Sequence, residues 1–143
     1  MTGLAEIRSL YQKYLDEAER AERERKPGDG LFGVGKKPSD DPCHERFASD
    51  LETALRDFAA QEPDSQRTRE VLSYIYRSPA EHKKPASAYW MLCAVHGFTP
   101  ELTGRLNKED AAALFTQYAK DFPRWERLPV QQRVYAALKR LAK

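Results

Sequence analysis

The chain has few cysteines, no long apolar run and no alternation of apolar and polar residues. Its 143 residues include only two cysteines, too few for a disulfide scaffold and typical of a reducing compartment. No run approaches the roughly 18 apolar residues of a membrane helix. The N-terminal MTGLAEIRSL lacks a basic start followed by an apolar block. The sequence therefore predicts a cytoplasmic protein without a secretory signal and without a membrane segment.

The chain also lacks a strong excess of charge of one sign. Its formal net charge is +2. Residues 1–62 hold 10 basic and 14 acidic side chains, and residues 63–143 hold 14 basic and 8 acidic ones. This asymmetry indicates an acidic and a basic face, but not the dense basic surface that nucleic-acid binding usually requires.

Apolar residues recur at helical spacing, and proline or glycine separates the segments. No strand pattern competes with this periodicity. The sequence therefore predicts an all-α fold, a single domain over 1–143 with about six or seven helices. The expected helices cover 3–25, 42–61, 65–77, 86–96, 99–106, 108–121 and 129–141. A capping box, Ser78-Pro79-Ala80-Glu81, also predicts a separate short helical turn over 78–84.

The segment ASAYWMLCAVHGF, residues 86–98, is the most apolar part of the chain. Eight consecutive apolar residues from Ala88 to Val95 predict a helix that is buried on every side, so we expect 86–96 to be the central helix. Gly97 is expected to end it in a left-handed conformation. Further on, Trp125 and Leu128 are expected to anchor the linker before the last helix to the core.

A Gly- and Pro-rich loop over 26–41 is the one long non-helical segment that the sequence predicts. It contains three apolar residues, Leu31, Phe32 and Val34. They are interpreted either as an ordered plug against the core or as an exposed apolar tip that a partner covers.

Two pairs of potential metal ligands occur in predicted helices. Cys43 is adjacent to His44, and Cys93 precedes His96 by three positions, so the second pair shares one helical face. If the two helices pack together, these four side chains have the types that bind a tetrahedral zinc ion. The same residues could form a cysteine nucleophile with a histidine base, although no third catalytic residue is evident. Buried cysteines in a conventional core are the alternative.

The residues Leu92-Cys93 followed by Gly97-Phe98-Thr99-Pro100 are similar to the turn of a helix-turn-helix motif. The resemblance covers about 86–108. It departs from the usual pattern at His96, Thr103 and Gly104. It implies a DNA-binding function, with Arg105, Asn107 and Lys108 as the polar residues that would contact DNA.

The sequence does not identify an activity, and no catalytic set stands out. The main hypothesis is a protein–protein interaction module that binds a protein partner or itself, through the 26–41 loop and the first helix. Its alternatives are a DNA-binding protein and a Cys/His zinc-binding domain. No cofactor other than zinc is indicated.

Overall fold

The computed structural model describes residues 3–24, 42–81 and 86–143, which are mostly helical. No strand occurs in these ranges, so the predicted all-α class is confirmed, as is the number of helices. None of the helices described is long and apolar enough to cross a membrane. The α-helices are α1 (Leu4–Glu24), α2 (Pro42–Ala60), α3 (Ser65–Glu81), α4 (Ala86–Ala94), α5 (Pro100–Thr103), α6 (Lys108–Asp121) and α7 (Pro129–Leu141), and 3-10 helices span Val95–Phe98 and Arg124–Glu126.

The amphipathic helices enclose a core of aliphatic and aromatic side chains. α1 packs chiefly on α2, α6 packs on α3 and α7, and α3 also contacts α1, α4 and α5. Burying each large side chain contributes about 1.5–3 kcal/mol. The largest fully buried side chains are Tyr11, Tyr14, Tyr118, Phe58, Phe122, Ile7, Leu51, Leu72, Ile75, Leu92, Leu102 and Leu138.

α3 continues through Pro79, so the predicted break after Arg77 is wrong. Ser78 does not begin a new helix; its Oγ donates to the Tyr74 carbonyl oxygen at 2.8 Å, a bond within α3. Because proline has no N–H, the carbonyl of Ile75, four residues earlier, loses its helical partner. The Ile75 carbonyl oxygen therefore lacks its usual hydrogen-bond donor, and Ile75 is fully buried.

α4 is buried on one side only. Ala88, Leu92 and Cys93 are fully buried, whereas Trp90 is 57% exposed and Ala94 is exposed as well. The expectation that this helix is buried on every side is therefore wrong. Its principal contacts are with α1, α3, α7 and the 3-10 helix that follows it, and these elements leave its outer face uncovered.

Gly97 does not end α4 in the expected left-handed conformation. The chain tightens into the 3-10 helix Val95–Phe98, and Gly97 lies inside it. A Cβ atom added to Gly97 would lie 3.4 Å from Cγ2 of Val130. This distance is an ordinary van der Waals contact, so the 3-10 helix packs against the start of α7 with room for a methyl group at position 97.

Of the two residues expected to anchor the linker before α7, Leu128 packs against the core, as predicted. Trp125 does not, because it is 85% exposed. The Arg127 guanidinium lies 3.6 Å from the centroid of the Tyr135 ring, and its Nε donates to the Phe122 carbonyl oxygen at 2.8 Å. One arginine thus fixes the linker through a cation–π contact and a hydrogen bond.

Because α4 is buried on one side only, truncating two of its side chains should change the free energy of unfolding by very different amounts. We expect Leu92→Ala to lower the free energy of unfolding by about 2–5 kcal/mol, because it leaves a cavity in the core. We expect Trp90→Ala to change it by about 0.5 kcal/mol or less, because the indole is mostly in water. Urea denaturation of both variants measures the difference. A loss for Trp90→Ala as large as that for Leu92→Ala would contradict the orientation of α4.

Candidate functional site

The three apolar residues of the 26–41 loop, Leu31, Phe32 and Val34, lie outside the described residues. Their role as a partner surface stays a prediction.

The segment that resembles a helix-turn-helix has only one helical turn where the recognition helix belongs. α5 consists of the four residues Pro100–Thr103, whereas a recognition helix lies along the major groove. Arg105 and Lys108 are exposed, but the Asn107 side chain accepts a hydrogen bond from the Asp110 backbone N–H at 2.8 Å. Asn107 therefore caps α6, and Lys108 is the first residue of α6 and not part of the short helix α5.

Cys43 and His44 lie in the first turn of α2, and both are buried. Nδ1 of His44 is 2.6 Å from the Tyr14 hydroxyl oxygen, a hydrogen bond that joins α2 to α1. The Tyr14 ring also stacks on Phe47, with 4.3 Å between centroids. This pair of predicted ligands thus belongs to the contact between α1 and α2.

Cys93 and His96 are fully buried on the inner side of α4 and of the 3-10 helix after it. Nδ1 of His96 is 3.0 Å from the Tyr118 hydroxyl oxygen. Across residues 3–24, 42–81 and 86–143, no three His, Cys, Asp or Glu side chains form a group that could hold a metal ion. The structure therefore does not bring Cys43, His44, Cys93 and His96 together as zinc ligands.

The Cys93 thiol does not have the environment of a nucleophile. Burial raises its pKa to about 11, and hydrogen bonds with Tyr89 and Gln131 offset that increase only in part. At neutral pH the thiol therefore stays protonated, whereas the thiolate is the reactive form.

His96 has a strongly perturbed pKa. Burial lowers it from 6.5 to about 3, and the backbone carbonyl of Ile75 acts in the opposite direction. Nδ1 faces Tyr118, while the buried Nε2 has no hydrogen-bond partner among the described residues. We infer that Nε2 is the nitrogen beside the Ile75 carbonyl, which lost its helical donor at Pro79.

His96 is part of a buried polar cluster, which we define as Tyr76, His96, Thr99 and Tyr118. The Tyr76 hydroxyl oxygen is 2.7 Å from Thr99 Oγ1, and this Oγ1 donates to the His96 carbonyl oxygen at 2.7 Å. Burial raises the pKa values of both tyrosines. All four side chains are therefore uncharged near neutral pH, and their hydrogen bonds join α3, α6 and the turn after α4. We interpret the cluster as structural.

The surface feature that is not explained by folding is an apolar stripe, which we define as Trp90, Ala94 and Phe98. These residues follow one another at intervals of four and all three are exposed. Trp90 is 57% and Phe98 is 37% exposed. Residues 86–98 contain no Lys, Arg, Asp or Glu. With a rise of about 1.5 Å per residue in α4 and about 2.0 Å in the 3-10 helix Val95–Phe98, the stripe is about 14 Å long.

A groove with a volume of about 310 Å³ begins at the Phe98 end of the stripe. It lies between α2 and the segment 97–102. Arg56 on its rim forms an ion pair of 2.5 Å with Glu52. Glu101 on the opposite rim is exposed. The remaining lining is largely apolar and consists of Leu55, Ala59, Gly97, Phe98, Pro100 and Leu102.

Comparison with known proteins finds no relative, since no family model, no curated protein and no solved structure matches this chain.

The low pKa of His96 predicts a specific pH dependence of stability. Since the folded-state pKa, about 3, lies below the ordinary value of 6.5, the unfolded chain binds this proton first as the pH falls. Stability is thus lost below pH 6.5, by up to about 1.4 kcal/mol per pH unit from this one group. We expect His96→Gln to remove this slope, whatever its effect on overall stability.

Urea denaturation of both proteins at a series of pH values tests this expectation. The curves of unfolding free energy against pH should run parallel above pH 6.5 and separate in slope below it. Curves that remain parallel below pH 6.5 would show that His96 is not buried as a neutral ring.

Proposed function

We propose that the chain is a protein-binding module that receives the apolar face of an amphipathic helix from another protein along the apolar stripe. The supporting observation is the exposure of Trp90, a large apolar side chain, within 13 consecutive residues that carry no charge. Exposed aromatic residues in an uncharged surface are typical of interface centres, where Trp is enriched among the residues that contribute most to binding.

The shape of the surface suits a helix as the partner. Amphipathic helices bind through apolar side chains at intervals of three and four, which is the spacing of Trp90, Ala94 and Phe98 on this chain. The groove beside Phe98 is large enough to accept one apolar anchor side chain of the partner. Glu101 on its rim forms no ion pair within the part of the chain that the structure describes. A basic residue of the partner helix would complement it.

A protein partner fits this surface better than single-stranded nucleic acid does. Bases also stack on exposed tryptophan, but the phosphates between them require nearby cations. Residues 86–98 contain no Lys or Arg, and the only arginine on the groove, Arg56, is paired with Glu52.

The test compares two Ala→Arg substitutions on exposed helical surfaces. Ala94→Arg puts a cation at the centre of the stripe, and Ala136→Arg puts one on the exposed side of α7 as a matched control. A photo-crosslinking amino acid at position 94 or 136 identifies proteins that contact each surface. We expect position 94 alone to give a specific crosslinked protein. We also expect Ala94→Arg to weaken its binding about tenfold or more, since an unpaired charge would be buried.

Three results would contradict the proposal. The first is the same crosslinked proteins at positions 94 and 136, and the second is an affinity that Ala94→Arg leaves unchanged. The third is a stable dimer of the purified protein in analytical ultracentrifugation that Ala94→Arg dissociates. That result would assign the stripe to a second copy of this chain instead of a different protein.

A further inference from the structure

A second groove, formed by α1, α3 and α6, is lined by three arginines: Arg8, Arg69 and Arg77. Its volume of about 530 Å³ is within the range of small-molecule sites, about 300–1,000 Å³. It shares no lining residue with the groove beside Phe98.

Two of these arginines form ion pairs with aspartates but remain accessible. Nη1 of Arg69 is 3.0 Å from Asp110 Oδ1, and Nε of Arg77 is 3.7 Å from Asp121 Oδ2. The aspartate side chains are each 13% exposed, whereas the arginine side chains are 41% and 44% exposed. Asp110 therefore orients the Arg69 guanidinium, whereas Arg77 and Asp121 form a longer ion pair without a hydrogen bond between Nε and Oδ2, and both arginines keep other N–H donors accessible.

Arg8 is the arginine of this groove that pairs with no carboxylate in the described part of the chain. Its guanidinium lies 5.4 Å from the centroid of the Tyr74 ring, a cation–π contact that holds it over α3. Tyr74 and Arg77 are three residues apart and share one face of α3. Arg8 and Arg77 therefore approach the same part of the groove from two different helices.

The groove also contains two acidic residues, Glu70 and Glu81, and Glu81 lies 3.6 Å from Nη2 of Arg77. With Asp110 and Asp121, which pair with Arg69 and Arg77, four carboxylates lie around the three guanidinium groups, so Arg8 is the one guanidinium of this groove without a carboxylate partner among the described residues. Guanidinium groups bind oxyanions by parallel hydrogen bonds, which favours a carboxylate or phosphate ligand over a neutral one. The apolar residues that line the groove are Leu4, Tyr74, Ala113 and Leu114.

We propose that this groove binds a small ligand that has an oxyanion group, either a phosphate monoester or a carboxylate, on an aromatic or apolar body. Arg8 and Arg77 bind the oxyanion, and Tyr74 and Leu114 contact the body. The proposal is independent of the helix-binding function, because the two surfaces have different residues.

The test titrates the protein at low ionic strength with three probes that share one ring: phenyl phosphate, benzoate and benzyl alcohol. Chemical-shift changes in two-dimensional NMR spectra measure both affinity and location. We expect an anionic probe to bind at residues of α1, α3 and α6 and neutral benzyl alcohol to bind at least tenfold more weakly. Tighter binding of phenyl phosphate would assign the natural ligand to phosphate esters, and tighter binding of benzoate would assign it to carboxylates.

Two variants locate the binding. We expect Arg8→Ala to weaken binding of the anionic probe about tenfold to a hundredfold, the usual effect of losing a charge-assisted hydrogen bond. Arg20→Ala is the control: Arg20 is exposed on α1 and does not line the groove. Ala113→Glu keeps all three arginines but adds a carboxylate at an exposed lining position, so it should also abolish binding.

Failure of both anions to bind the wild-type protein would overturn the proposal. So would equal affinities in the wild type and in both groove variants, because binding would then lie elsewhere on the protein.

Discussion

The structure depends on how one buried backbone carbonyl is accommodated. Pro79 lies within α3 and deprives the Ile75 carbonyl of its helical donor, and a buried acceptor without a donor costs about 1–3 kcal/mol. The Ile75 carbonyl raises the pKa of His96, from which we infer that the imidazole lies near it, and Nδ1 of His96 is 3.0 Å from the Tyr118 hydroxyl oxygen. The polar groups of α3, α6 and the turn after α4 are thus fixed relative to one another inside an otherwise apolar core.

This arrangement also determines which side of α4 faces water. His96, Leu92 and Ala88 are all fully buried and face the core together. Trp90, Ala94 and Phe98 then face outward. An apolar surface about 14 Å long is consequently exposed. The arginine groove lies elsewhere on α3 and uses residues that the cluster does not.

Local patterns in the sequence predict where the helices lie along the chain, but not which helices pack against one another. The helical spacing of apolar residues is a local signal, and the ranges that it predicts for α1 and α6 agree with the structure to within one residue. Ser78-Pro79 is also a local start signal, yet α3 continues because packing with distant residues outweighs it. Eight apolar residues from Ala88 to Val95 favour burial, but only the positions of α1, α3 and α7 decide which side they cover. The convergence of Arg8 with Arg69 and Arg77 requires α1 to pack on α3, which no spacing reveals.

The tautomer of His96 tests the central claim most directly. The Ile75 carbonyl can only accept, so our account predicts a neutral ring at pH 7 with its proton on Nε2, while the Tyr118 hydroxyl donates to Nδ1. Long-range ¹H–¹⁵N correlation spectra of histidine-labelled protein distinguish the two ring nitrogens. A proton on Nδ1 alone, or a charged ring at pH 7, would contradict the account, because the Ile75 carbonyl would then lack the donor we assign to it or the core would contain a buried charge.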